Sequence, residues 1–164
     1  MRRAGLNYRL TEGILTRVPI QPPIPPQPII PPGFDRHFRQ SPVTDPWEPL
    51  YSKRDGEAFV LGFIVAAAHC NSRGMLHGGV ISALADNAMG LACAFALGGD
   101  ARLLTAHLSV DFTGIAQLGS WVEVIARPTR TGRTMCFAAA RVITGDELVA
   151  QATAVFRASP PPKT

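Results

Sequence analysis

Residues 80–97, VISALADNAMGLACAFAL, constrain this chain more than any other stretch. Eighteen residues without a proline, rich in Ala, Leu, Met and Ile and weakened only at Gly90, predict a helix. It is apolar on nearly every face, so it must be buried. Its length is also near the lower limit for a membrane span. Adjacent Asp86 and Asn87 near the middle would cost roughly several kcal/mol in lipid. A protein core is therefore the expected surrounding, and the rest of the chain must supply it.

The remaining sequence has that material. A strand-like run begins at Ala58 with AFVLGFIVAAAHC, and four more follow the helix: LLTAHLSVDFTG, SWVEVIARPT, RTMCFAAARVIT and ELVAQATAVFRA. In the first of the four, Leu104, Ala106, Leu108, Val110 and Phe112 alternate with Thr105, His107, Ser109 and Asp111, a period of two. In the last, Leu148, Ala150, Ala152, Ala154 and Phe156 share one face. Short turns at Gly119, Gly132 and Gly145 imply an antiparallel meander. The expected class is α+β: one strand, one long central helix, then a curved antiparallel sheet wrapped around it.

Proline divides the chain. Eight of the 15 prolines fall in residues 19–32, where they preclude helix and sheet ladders and predict an extended arm. The arm joins a basic segment, residues 1–18, to one domain over residues 33–160, with a short tail at 161–164. Within the domain, residues 33–53 read as a packed irregular cover. The segment 1–18 holds Arg2, Arg3, Arg9 and Arg17 against Glu12, which is three of the four net positive charges. What remains is close to neutral and gives no footprint for nucleic acid. The N-terminus lacks the apolar run of a secretory signal. Cys70, Cys93 and Cys136 are widely spaced, without a CxxC pair, and suggest buried reduced thiols in a cytoplasmic protein.

The residues suited to chemistry lie where the loop NSRGMLHGG enters the helix: Asn71, His77, Gly78, Gly79 and, further on, Asp86. Paired glycines let backbone approach a ligand, and the first amides of a helix have no internal partner. Such amides, backed by the helix dipole, can hold a developing oxyanion. Asp86 is a carboxylate on an apolar helix, costly there unless it is paired, hydrogen-bonded or used. No Gly-x-Ser-x-Gly, no Cys–His pair and no cluster at metal spacing competes with it.

The pattern of Asn71, His77-Gly78-Gly79 and Asp86, followed by a Thr-bearing strand, a GR turn and the final LVAQATAVFR, resembles the PaaI-like thioesterases of the hot-dog fold. The resemblance runs from about Ser41 to Ala158. It implies hydrolysis of acyl-coenzyme A thioesters, with Asp86 as the catalytic carboxylate, either attacking the carbonyl itself or activating a water, and Gly78 as the oxyanion amide. It further implies that Asn71 and His77 position the carbonyl and that Thr105 assists the attacking water. No metal and no cofactor is implied; coenzyme A enters only as part of the substrate.

Gly78 and Asp86 are eight residues apart, about 12 Å along a helix, whereas both must approach one carbonyl within roughly 3 Å. Antiparallel helices about a twofold would bring Gly78 of one subunit to Asp86 of another. The expectation is a composite site in a homodimer or a dimer of dimers, with no nucleic acid or membrane partner. Gly79 is expected beside the substrate, and Arg130 and Arg133, in the hairpin R-P-T-R-T-G-R, at its nucleotide end. The acyl pocket is expected to be apolar and partly aromatic. Two other readings compete: a hydratase or dehydratase on the same fold, which needs a His and a carboxylate together, and a non-catalytic acyl-CoA binding module, which needs no buried acid.

Overall fold

A computed structural model describes residues 8–11, 14–17, 29–99 and 101–159. Two short strands near the N-terminus, β1 (Tyr8–Thr11) and β2 (Ile14–Arg17), form an antiparallel pair of their own. Most of the proline run expected to form the arm, residues 18–28, lies outside the described residues. The domain is one helix, α1 (Gly78–Ala96), packed against a seven-stranded antiparallel sheet. The sheet consists of β3 (Asp35–Arg36), β4 (Leu50–Asp55), β5 (Ala58–Ile64), β6 (Arg102–Phe112), β7 (Trp121–Thr131), β8 (Met135–Thr144) and β9 (Glu147–Ser159). Its spatial order is β3-β4-β5-β7-β8-β9-β6.

Three expectations need correction. The cover at residues 33–53 contains two strands, β3 and β4. Alternation in β4 is short and its residues Ser52 and Lys53 are polar, so the run LYSKRD carries little apolar signal, yet Leu50 and Ser52 are buried. The last four strands are not a simple meander either. β7, β8 and β9 follow one another, but β6 pairs with β9 at the far edge. Residues 113–120 carry the chain from β6 to β7 across three strand spacings, about 14 Å, a span that no tight turn covers. Finally, Cys93 of α1 and Cys136 of β8 are joined as a disulfide, so only Cys70 is a free thiol among the described residues. Both partners are fully buried between helix and sheet.

The core lies between α1 and one face of the sheet. Val80, Ile81, Leu84, Ala85, Ala88, Met89, Leu91, Ala92 and Cys93 are buried on the helix. They meet Leu61, Phe63, Val122, Val124 and Val142 together with Ala138, Ala140, Ala150, Ala152 and Ala154. The alanine rows of β8 and β9 keep that face shallow, which lets the helix sit close to it. Although α1 is long and apolar enough to cross a bilayer, with mean hydropathy 1.4, half of that window is buried in the protein.

Contrary to the sequence reading, α1 is not enclosed on all sides. Ser82, Ala83, Asp86, Asn87, Gly90 and Ala94 form a half-exposed stripe. β6 runs beside this stripe as an unpaired sheet edge and exposes Leu104 and Phe112, with Ile115 and Leu118 just beyond it.

Candidate active site

The loop before α1 is built by its own side chains. Asn71 Oδ1 accepts the Arg73 N–H at 2.9 Å and the Met75 N–H at 3.3 Å, closing a tight turn. His77 is the N-cap of α1, and its Nδ1 accepts the Gly79 N–H at 2.9 Å. The His77 carbonyl takes the Val80 and Ile81 amides. Of the first four amides of the helix, only that of Gly78 has no partner among the described residues. Ser82 Oγ donates back to the Gly78 carbonyl at 2.9 Å and ties down this first turn.

Both glycines sit in close quarters. A Cβ on Gly78 would come within 3.1 Å of the Phe112 ring, and one on Gly79 within 3.0 Å of His77 Nδ1. A side chain at 79 would thus press on the ring that caps its own amide.

His69, which the sequence reading did not single out, holds the loop from below. It is buried; its Nδ1 accepts the Ala66 N–H at 2.7 Å, and Nε2 lies 3.0 Å from the Trp47 carbonyl. Its carbonyl accepts the His77 N–H. Burial pushes the His69 pKa below the ordinary histidine value, against the opposing pull of backbone hydrogen bonds. Both ring nitrogens have backbone partners, so this histidine supports the fold and is not a catalytic base.

Asp86 lies two turns further along α1. Its Oδ1 accepts the Thr105 hydroxyl at 2.9 Å, so the structure brings together two residues that are 19 apart in sequence. A register shift in β6 makes this possible. The pairing steps from Thr105–Phe156 to His107–Val155, leaving Ala106 as an extra residue. Strict alternation would put Thr105 on the face opposite Leu108 and Val110; the bulge reverses the phase, and all three point toward the helix side.

Asp86 and Thr105 line a cleft of about 400 Å³ between α1 and β6, together with Arg39, Gly90, Ala94 and Phe156. The lining is more polar than apolar. Asn87 also lines it, and its buried Oδ1 has no hydrogen-bond partner among the described residues. Asn71, His77, Gly78 and Gly79 do not line this cleft within one chain. Nor do Arg130 and Arg133: Arg130 lines a separate cleft of about 340 Å³ with Arg54, Glu57 and Phe95, and Arg133 is exposed in the β7–β8 turn. Among the described residues no group of His, Cys, Asp or Glu could hold a metal ion.

Comparison with known proteins agrees with this fold. The family model of the Thioesterase superfamily matches residues 73–151. A Pseudomonas aeruginosa protein named "Putative esterase PA0474" is 39% identical over 128 residues, covering 77% of this chain and 96% of that protein. Among solved structures, a mutant of the phenylacetic acid degradation protein PaaI from Thermus thermophilus superposes with a TM-score of 0.63 at 25% identity, covering 71% of this chain and 98% of that one. A hypothetical thioesterase protein with coenzyme A from Streptococcus pneumoniae TIGR4 shares the fold, with a TM-score of 0.63 at 21% identity over 71% of this chain and 94% of that one.

Proposed function

Because the chain belongs to the Thioesterase superfamily, of hot-dog fold, we propose that it hydrolyses acyl-coenzyme A thioesters at a site shared between two copies of the chain. The observation that carries this reading is the Asp86 carboxylate, bonded to Thr105 in an open cleft, on the same helix as the Gly78 amide, which has no partner among the described residues. Eight helical residues separate the two groups by about 12 Å, too far for one carbonyl. The uncovered stripe of α1 and the apolar, unpaired edge at β6 are where a second copy fits. Packed antiparallel, its Gly78 would lie opposite Asp86.

In that arrangement Thr105 donates to Asp86 and its oxygen can hold a water. Asp86 takes a proton from this water as its oxygen attacks the thioester carbonyl carbon. The partner copy's Gly78 amide donates to the oxyanion that forms. The carbon–sulfur bond then breaks, the thiolate takes the proton from Asp86, and a carboxylic acid and coenzyme A leave. Asn71 and His77 act by holding the loop that aims the amide. The bound coenzyme A of the Streptococcus pneumoniae structure supports the substrate class. A hydratase needs a histidine free to act together with the carboxylate; the histidine of this site, His77, sits beside the oxyanion Gly78 with its Nδ1 taken by the Gly79 N–H.

The test is a panel of acyl-CoAs scored by thiol release, followed by complementation between two inactive variants. Asp86→Asn removes the base and Gly78→Pro removes the amide; Phe112, half exposed, has room to turn away from the new ring. In random mixed dimers half the molecules are heterodimers with one intact site of two, so activity should return to about a quarter of wild type. Well-folded mixed dimers without activity would place the whole site within one chain and end the shared-site reading.

A further inference from the structure

Gly78, whose amide the hydrolysis reading uses, packs against one side chain, Phe112 at the end of β6. A Cβ at position 78 would lie 3.1 Å from both Cε1 and Cζ of that ring and 3.6 Å from Cε2, so the ring points its tip at the glycine. The phase set by the bulge at Ala106 turns Phe112 to the helix side with Leu108 and Val110. The backbone that carries the ring is pinned on two flanks. The Thr113 and Gly114 amides both donate to the Val149 carbonyl of β9. The segment beyond is tied to the glycine loop, with the Leu76 N–H on the Ala116 carbonyl and the Leu118 N–H on the Gly74 carbonyl. Even so, Phe112 is 54% exposed, whereas Leu108 and Val110 pack against the core, so core packing leaves much of the ring unused.

A single exposed phenyl ring on a surface is ordinary. This one abuts the one amide of the first helical turn that has no partner among the described residues. A backbone N–H makes a stronger hydrogen bond where competing water is kept away. The edge of an aromatic ring is also the positive end of its quadrupole, so it does not oppose negative charge growing beside the amide.

We propose that Phe112 is the wall of the oxyanion site: its ring covers one side of the Gly78 amide, keeps water from it, and strengthens its hydrogen bond to the thioester oxygen as charge develops there. This inference rests on the thioesterase reading and adds a positioning residue to that site, supplied by the chain that gives Gly78 and not by the chain that gives Asp86. The oxyanion exists only along the reaction, so the effect belongs in kcat and not in KM.

Phe112→Ala and Phe112→Leu test this in the full-length protein, with the acyl-CoA of the panel that is hydrolysed fastest. The alanine variant should lose about tenfold in kcat, less than the roughly 10² to 10³ that loss of a whole oxyanion donor costs, with KM within about twofold. Leucine keeps an apolar branch beside the amide and should recover most of the loss. Mixed dimers then separate the two chains. When Asp86→Asn pairs with Gly78→Pro, the working site takes its Gly78 from the first chain. Phe112→Ala should therefore lower the restored activity by about tenfold when the Asp86→Asn chain carries it, and far less when the Gly78→Pro chain does. A kcat loss below about twofold, a loss confined to KM, or equal losses from the two placements overturns the proposal while leaving thioester hydrolysis standing. A lowered thermal midpoint with kcat per folded molecule unchanged assigns the ring to packing and overturns it too. Mixed dimers that regain nothing remove the shared site, and the kcat and KM of the single variants then decide alone. No thiol release by the wild type from any acyl-CoA removes the thioesterase reading, and the proposal with it.

Discussion

The two sides of α1 differ in what they were built from. One side places Val80, Ile81, Leu84, Ala88, Met89 and Ala92 against the sheet, every one of them buried. The other is the stripe of Ser82, Ala83, Asp86, Asn87, Gly90 and Ala94, half open and holding the only carboxylate of the helix. The first side contributes stability through area removed from water, at about 25 cal/mol per Å². The second leaves surface unburied, lowering the stability of the single chain, and in return offers a carboxylate, small residues and room. A helix of this composition is therefore a core element and a site wall at once, with the division running along its length.

Substitution can break that division. Asp86→Asn should cut kcat for acyl-CoA hydrolysis by about 10² to 10⁴ with the thermal midpoint unchanged or raised, since it removes a charge from a helix and disturbs no buried packing. Turnover within tenfold of wild type would strip Asp86 of its role. On the other side, Leu84→Ala, at a fully buried position, should lose about 2–5 kcal/mol in denaturant titration, while kcat/KM per folded molecule stays within about twofold. A large kinetic defect in folded Leu84→Ala would show that the two sides are coupled. Thr105→Val, which keeps shape but loses the hydrogen bond to Asp86, should lower kcat by about tenfold with little change in stability.

The smallest effect is expected from the loop. Because burial lowers the pKa of His69 in the folded state, the unfolded chain takes up a proton first as pH falls. Its contribution to stability is present above the ordinary value near 6.5 and declines as pH drops below that toward the folded value. The thermal midpoint should fall between pH 7.5 and 5.5, and less steeply in His69→Asn. Equal slopes would show that His69 takes no part.

Much of this molecule was legible in the sequence where physics is local. The helix, the apolar face of β9 and the glycine-rich entry to α1 each carry a pattern within a dozen residues. Regions whose structure depends on distant partners were harder to read. β4 carries little apolar pattern because it is held by its ladder to β5. The placement of β6 beside β9 depends on the length of a crossing, which Gly119 disguises as a hairpin turn. The Cys93–Cys136 bond joins residues 43 apart. In the site, Asp86 stood out as an acid among apolar residues and Thr105 through the resemblance. Phe112 gave only a strand pattern, since nothing local shows that the fold brings its ring against Gly78.

Ala106, the extra residue in β6, separates two stretches of one strand that answer to different demands. Beyond it, Leu108 and Val110 follow the core; before it, Leu103 and Thr105 follow the cleft. In a strand of unbroken phase, every change that improved one face would constrain the other end. With the phase reset between them, selection can alter what the cleft presents at Leu103 and Thr105 without renegotiating the packing at 108–110. Deleting this one residue would turn the recognition end of the strand over while leaving its packing end in place, so specificity in this fold can be lost or regained by a change in length as readily as by a change in side chain.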